Sequence, residues 1–260
     1  MAGDWTEELF IRHGDLYQVL LEGMFPRAEE ETRGLARLLA GRGFGTGAAV
    51  LDLNCRIGRH AIHLARLGYR VVGVDMSPRY IQRAGQLAIE HGVAGDSEFL
   101  VADARKVGEA LSGRKFDAVI NMFTSLGYYD EETDRSIIRQ CLGLVRSGGI
   151  FVLETGSRDS ISRNFQPFGV FRVDDLLLLH EREFSLETSR MKTVWTFLET
   201  IDEGYRLSAE IHLNHRFYCL HELIRLFEEA GWHYRASYRD FEFREPSLDG
   251  NRLILVCQSP

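Results

Sequence analysis

The stretch VLDLNCRIGRHAIHLARLGYRVVGVDMS, residues 50–77, decides the fold. With Ala48 and Ala49 before it, it opens as the short apolar run AAVLDL, as a buried parallel strand requires, and that strand ends at Asp52. A tight loop carrying Gly58 comes next. RHAIHLARLG then reads as a helix ended by Gly68. YRVVGVD is a second apolar strand, and it ends in an acid, Asp75. In a nucleotide-binding α/β unit such a loop brings bare backbone close to a ligand. The acid closing the second strand can accept hydrogen bonds from ribose hydroxyls. The ligand would lie outside the carboxyl ends of the strands.

Outward from this unit the alternation continues. SPRYIQRAGQLAIEHG reads as a helix with Ser77 as N-cap and Pro78 at its first position. SEFLVAD is a third strand and FDAVINMF a fourth. A helix from about Glu131 to Val145 follows, and SGG turns the chain into GIFVLET, a fifth strand. Strands alternating with helices at this spacing imply βαβ units. The expected class is α/β, Rossmann-like, with a doubly wound and mostly parallel seven-stranded sheet, a small antiparallel β insert and N-terminal helices.

Upstream, residues 5–40 read as helices, with Phe10, Tyr17, Leu20, Leu21 and Met24 on one apolar stripe and Pro26 interrupting it. A second helix is expected from about Glu29 to Leu39. Downstream of Glu154, residues 167–217 hold strands without helices between them. In RLSAEIHLNHRF, Leu207, Ala209, Ile211 and Leu213 alternate with Ser208, Glu210, His212 and Asn214. TVWTFLE and DLLLLHEREF are the expected partners. HELIRLFEEAG is a short helix, and WHYRASYRDFEF and NRLILVCQS close the chain as strands. The expected division is an N-terminal helical cap (1–47), a cofactor-binding core (48–160), an antiparallel insert over the substrate site (161–217) and a completion of the core sheet (218–260).

Composition narrows the classes. At 260 residues, with 27% charged and 45% hydrophobic, the chain is an ordinary globular one. A net charge of −7 argues against a nucleic-acid partner, whose phosphates need a basic surface. Cys55, Cys141, Cys219 and Cys257 form no CxxC pair, which suggests reduced thiols and a cytoplasmic location. No HExxH is present, and His212 and His215 stand three apart in a strand, so no metal site is expected. MAGDWTEELF has neither a basic start nor a long apolar run, so no signal peptide is expected. No segment approaches the roughly 20 apolar residues that span a bilayer.

The motif at 50–77 resembles the first two motifs of class I S-adenosylmethionine-dependent methyltransferases, the first commonly written DxGxGxG. It is most similar to a small-molecule subgroup whose loop reads like CGxGRH followed by GYxVxGVDxS. Cys55, Gly58, Arg59, His60, Gly68, Tyr69, Gly73, Val74, Asp75 and Ser77 fit that pattern. VADARKV, NMFTSLGYY (121–129), LVRSGGIFVLET (144–155) and HRFYCLHELIRLFEEAGW (215–232) continue the likeness in order. Asn54 and Arg56 stand where the motif has its first two glycines. Asn tolerates a left-handed backbone, whereas Arg56 puts a long cation where the family keeps the backbone bare. That cation can point to solvent, pair with the methionine carboxylate or block the site.

The resemblance implies S-adenosyl-L-methionine as cofactor, S-adenosyl-L-homocysteine as product, and methyl transfer to nitrogen or oxygen of a small-molecule acceptor. By the same resemblance Asp52 and the backbone through Asn54, Cys55 and Gly58 hold the methionine end. Asp75 takes the ribose, Met76 packs on the adenine, and Asp103 and Ala104 read its edge. Asn121 contributes at the end of strand four, and Tyr17 closes over the cofactor. Tyr128, Glu154 and His212 are the candidate catalytic groups by position. Phe123, Tyr128, Tyr129 and Arg216 are the candidate substrate contacts. Aromatic walls from Phe123, Tyr128, Tyr129 and Trp195 would suit an acceptor carrying developing positive charge. Cys55 and the helix histidines His60 and His63 read as packing groups, and Glu210 with His212 as a solvated face or else a polar wall of the substrate pocket. No membrane partner is expected, and a homodimer is a possible assembly. Two other classes compete. One is a methyltransferase fold impaired by Arg56 that acts as a cofactor sensor or subunit partner. The other is a nicotinamide-dependent dehydrogenase, which NCRIGR, not being GxGxxG, fits poorly.

Overall fold

A computed structural model describes residues 4–260. Its main sheet has seven strands in the order β10-β11-β5-β4-β1-β2-β3. These strands are β1 (Ala49–Leu53), β2 (Arg70–Asp75), β3 (Ser97–Val101), β4 (Phe116–Asn121), β5 (Val145–Gly156), β10 (His233–Tyr238) and β11 (Arg252–Gln258). β1 pairs in parallel with both β2 and β4, so the chain order reverses at β1. A crevice opens at such a switch point, outside the carboxyl ends of the strands. β11 runs antiparallel to both β5 and β10, because it follows edge strand β10 through a loop and not through a crossover helix, inserting between the two.

The central strands are nearly continuous apolar runs because helices cover both faces. One face packs against α2 (Arg27–Gly41), α3 (Arg59–Arg66) and α4 (Pro78–Glu90), with Leu35, Leu39, Ile62, Leu64 and Tyr80 buried there. The other packs against α5 (Glu131–Leu144) and α6 (Leu220–Glu229), around Ile138, Leu223, Phe227 and Trp232. Local signals fix the helix starts. Ser77 Oγ accepts from the Tyr80 amide with Pro78 at the first helical position. At α5, Asp130 Oδ1 accepts from the Thr133 amide at 2.8 Å. Replacing Asp130 by Ala should cost about 1 kcal/mol of unfolding free energy, read as a lower urea midpoint with an unchanged slope.

The four remaining strands form a separate antiparallel sheet, β6 (Phe168–Val173), β7 (Leu176–Ser185), β8 (Arg190–Ile201) and β9 (Gly204–Arg216). Leu176, Leu178, Phe197, Ala209 and Ile211 turn one face of it into the core that also holds the N-terminal helix α1 (Gly14–Gly23). Alternation along β9 holds from Ala209 to Asn214, but Leu207 is 60% exposed. A register shift opposite it, between Phe197 and Leu198, breaks the period. The N-terminal helical region is also less regular than its stripe implies. A single turn at Trp5–Glu7 runs into a wider π-helical turn at Glu8–Arg12 before α1 begins. Turns of that kind re-aim side chains and are frequent at functional sites.

Candidate active site

The loop between β1 and α3 is built on left-handed backbone. Asn54 (φ 59°), Arg56 (φ 51°) and Gly58 (φ 75°) all adopt it. Asn and Gly take that conformation readily, whereas Arg pays a steric penalty of about 1 kcal/mol or more. Phe123 (φ 61°) and Thr124 (φ 56°), at the end of β4, share the same strain. Non-glycine residues therefore hold unfavourable backbone on both sides of the switch point, which is where function tends to concentrate it.

Hydrogen bonds lock this geometry. Asp75, 5% exposed at the end of β2, accepts from the Arg56 amide at 3.0 Å and from the Ser77 amide at 2.9 Å. Burial raises its pKa, against the pull of these amides and of the Arg56 charge. Asp52 is buried one strand away and receives the Ala61 amide of the first turn of α3. Its Oδ2 is buried with no partner, as is Asn121 Oδ1. Asn121 Nδ2 donates to the Leu53 carbonyl at 3.0 Å, tying β4 to β1. Cys55 packs under the loop, and burial with the nearby Asp52 and Asp75 charges pushes its thiol up, so it is a packing group and not a nucleophile.

Two cavities meet at this crest. Asn54, Asp75, Met76, Asp103, Ala104 and Asn121 line a narrow one of about 30 Å³. The other, of about 340 Å³, has Trp5, Phe10, Tyr17, Tyr128, Trp195 and Phe217 in its walls. Arg56, Phe10 and Tyr128 border both, so they form the partition between them. Arg56 Nη2 donates to Tyr128 Oη at 2.8 Å and to the Phe123 carbonyl at 3.4 Å. Its guanidinium lies 5.1 Å from the Phe123 ring centroid and 6.0 Å from that of Tyr17. The cation's hydrogen bonds and ring contacts thus lie among Tyr128, Phe123 and Tyr17, away from solvent and at the boundary of the two cavities.

The N-terminal turns cover the crest. Trp5 meets Tyr128 edge-on at 5.0 Å, and Phe10 lies 5.7 Å from the same ring. Thr6 Oγ1 lies 3.4 Å from Tyr129 Oη, and Arg105 Nη1 donates to Asp4 Oδ2 at 3.5 Å while holding Asp103. Glycine is needed at 127, where φ is 94° and a Cβ would lie 2.1 Å from the Arg216 carbonyl oxygen. That close approach seats the 122–130 loop against the end of β9.

The expected site residues divide clearly. Asn54, Asp75, Met76, Asp103, Ala104 and Asn121 converge on the narrow cavity, and Tyr129 joins them. Tyr17, Phe123 and Tyr128 line the aromatic one. Six candidates line neither: Asp52, Cys55 and Gly58 lie in and beside the loop that walls the crest, and Glu154, His212 and Arg216 serve elsewhere. Glu154 lies beneath the crest, accepting from the Phe123 amide at 2.6 Å and pairing with Arg252 at 2.9 Å. It therefore holds the strained loop. His212 stands on the outward face of β9, its side chain 72% exposed and paired with Glu210. Arg216 is taken up by Glu131 and Glu222 and stacks on Tyr218. The pattern reading missed Trp5, Phe10 and His180. His180 stacks on Trp195 at 5.3 Å, accepts at Nδ1 from Arg182, and leaves a buried Nε2 without a partner. Burial, with the Arg182 charge, lowers its pKa to about 4, so the ring is neutral and Nε2 carries the proton.

Residues 50–149 match the methyltransferase-domain family. The fold that carries them is shared with solved S-adenosylmethionine-dependent methyltransferases. The chain is 32% identical over 113 residues to a ubiquinone biosynthesis O-methyltransferase of Cereibacter sphaeroides. The match covers 44% of this chain and 43% of that protein, so it spans less than half of the relative's length. Among solved structures, the CcbJ methyltransferase from Streptomyces caelestis superposes with a TM-score of 0.76 at 20% identity, covering 88% of this chain and 89% of that one. S-adenosylmethionine-bound CalS10, an amino pentose methyltransferase from Micromonospora echinaspora, superposes at 0.68 with 20% identity, covering 94% and 96%. At these identities the structures establish the fold alone. No described helix is long and apolar enough to cross a membrane.

Proposed function

We propose that this protein transfers a methyl group from S-adenosylmethionine to nitrogen or oxygen of a small-molecule acceptor. The observation that carries the reading is the shared partition of Arg56, Phe10 and Tyr128 between a carboxylate-bearing crest and an aromatic cavity. The crest suits an adenosyl group chemically. Asp75 keeps oxygen lone pairs for ribose hydroxyls beyond the two amides it accepts, and Asp52 Oδ2 and Asn121 Oδ1 are buried acceptors awaiting donors. Asp75 would hold the ribose, Met76, Asp103 and Ala104 the adenine, and Asp52 with the 54–58 loop the methionine end. When bound, that group supplies an electrophilic methyl carbon on a sulfonium.

The protein's own part is alignment. Its aromatic walls hold the acceptor against the partition, and the N-terminal turns exclude water. Positioning of this kind can supply on the order of 7–11 kcal/mol of a barrier. Burial pushes the Tyr128 phenol up, so Tyr128 serves here as an orienting hydroxyl and not as a base. Glu154 acts through the loop it holds.

Titration calorimetry with S-adenosylmethionine and S-adenosylhomocysteine tests the proposal, with one saturable site expected for each. The narrowness of the crest, about 30 Å³, favours a second reading in which the fold serves as a subunit partner. Absence of heat with both ligands would favour that reading, and its return in Arg56→Gly would identify the side chain as the obstacle.

A further inference from the structure

The aromatic cavity has an electrostatic character that its apolar walls conceal. Arg56 is 6% exposed and Arg59, the first residue of α3, is 4% exposed. Buried guanidinium groups are normally neutralised by a carboxylate. Neither of these is ion-paired among the described residues. Arg56 bonds to a phenol and a carbonyl, while Arg59 bonds to the Met24 carbonyl at 3.3 Å and stacks on Phe123 at 4.6 Å. Burial and the adjacent Arg56 charge lower the Arg59 pKa, with the Glu31 and Glu154 charges, beyond ion-pair distance, opposing them. Among the described residues no Asp or Glu lines the aromatic cavity. Its further polar contribution includes the unpartnered Nε2 donor of His180.

We propose that the aromatic cavity takes a planar acceptor bearing an anionic oxygen, a carboxylate or an acidic phenol or enol, seated on Arg56 with His180 as a second donor. The proposal rests on the crest being the cofactor seat, and it selects an oxyanion over the amine that aromatic walls alone would admit. A cationic amine would meet the Arg56 charge in a largely apolar cavity, where repulsion is stronger than in water. An acidic acceptor enters already ionised, its proton left in solvent. Its oxygen lone pair forms the new oxygen–carbon bond as the carbon–sulfur bond of the sulfonium donor breaks, and that electron pair stays on sulfur. Both charges vanish together, a change that a low dielectric favours, and no residue has to remove a proton. This accounts for a partition that holds no base.

The experiment compares 2-naphthoate with its neutral isostere 2-naphthamide by calorimetry, with and without saturating S-adenosylhomocysteine. The wild type should prefer the carboxylate by about tenfold or more, equivalent to about 1.4 kcal/mol. Arg56→Met should reduce that preference to about twofold or less, and Arg56→Lys should restore part of it because the charge returns without the planar fork. Equal affinity of the wild type for both probes, or binding of neither, overturns the proposal, and those arms need no folded variant. A preference that survives in Arg56→Met also overturns it. So does an Arg56→Met protein that loses S-adenosylhomocysteine affinity alone, since the seat would then serve the cofactor's own carboxylate. Failure of S-adenosylhomocysteine to bind the wild type would count against the methyltransferase reading, and the anion preference is read independently in its absence.

Discussion

Asp75→Ala is expected to lower S-adenosylhomocysteine affinity by on the order of 100-fold or more, because hydrogen bonds to a buried carboxylate contribute about 1.5–3 kcal/mol each. The same carboxylate organises the site before any ligand arrives. Its two oxygens take the Arg56 and Ser77 amides, one in the strained loop and one at the cap of α4. Removing it leaves two buried donors unsatisfied, at a cost of about 1–3 kcal/mol each. Stability and binding should therefore fall together. Asp75→Asn separates the two, since its amide oxygen can still accept from one of those groups. That variant should recover much of the urea midpoint and little of the affinity. An Asp75→Ala protein that melts normally and binds S-adenosylhomocysteine like the wild type would remove the crest from the mechanism.

The crest was legible because its determinants are local. Apolar runs ending in Asp52 and Asp75, with Gly58 at a left-handed position between them, specify strand, loop and helix within 28 residues. The insert was legible for the same reason, as period-2 alternation is a local property. What escaped depends on long-range placement. His212 and the inward residues of β9 differ by one step along the strand, and the period alone does not say which face meets α1. Glu154 ends its strand as a cofactor-proximal acid would, but Arg252 on β11, about a hundred residues later, claims it. His180 looked like one residue of an ordinary strand. Its role comes from Arg182 beside it and Trp195 on the neighbouring strand. Trp5 and Phe10 lie just before and within a π-helical turn, and their contacts with Tyr128 bridge more than a hundred residues of chain. The motif position of Arg56 was plain, whereas its direction was set by Tyr128 and the Phe123 carbonyl, some seventy residues away.

Asp52→Asn is expected to stabilise the protein near pH 8 while weakening it as a receptor. Burial raises the Asp52 pKa from 3.8 to about 7, with the Arg56 charge, the Ala61 amide and the Arg59 charge opposing it and Asp75 adding to it. A raised carboxyl pKa means that the folded chain holds the proton more tightly than the unfolded chain does. Stability is then lost as pH rises from 3.8 through 7, and the cost is fully present above that window. Asn has no proton to release, so its stability does not fall across the same range through this group. By pH 8 the variant should exceed the wild type by about 2–4 kcal/mol, one pKa unit corresponding to about 1.4 kcal/mol. Below pH 3.8 the two should converge. A buried carboxylate with one oxygen unpartnered, at a cost to the fold, is the expected signature of a group kept for a ligand. On the proposed reading that ligand brings a cationic α-ammonium to Asp52, so S-adenosylhomocysteine affinity at pH 8 should fall by about tenfold in Asp52→Asn. Thermal melts of both proteins from pH 4 to pH 8, with and without S-adenosylhomocysteine, read both effects. Parallel pH curves would show that Asp52 carries no buried charge, and a stabilised variant with undiminished affinity would show that the charge serves something other than the cofactor.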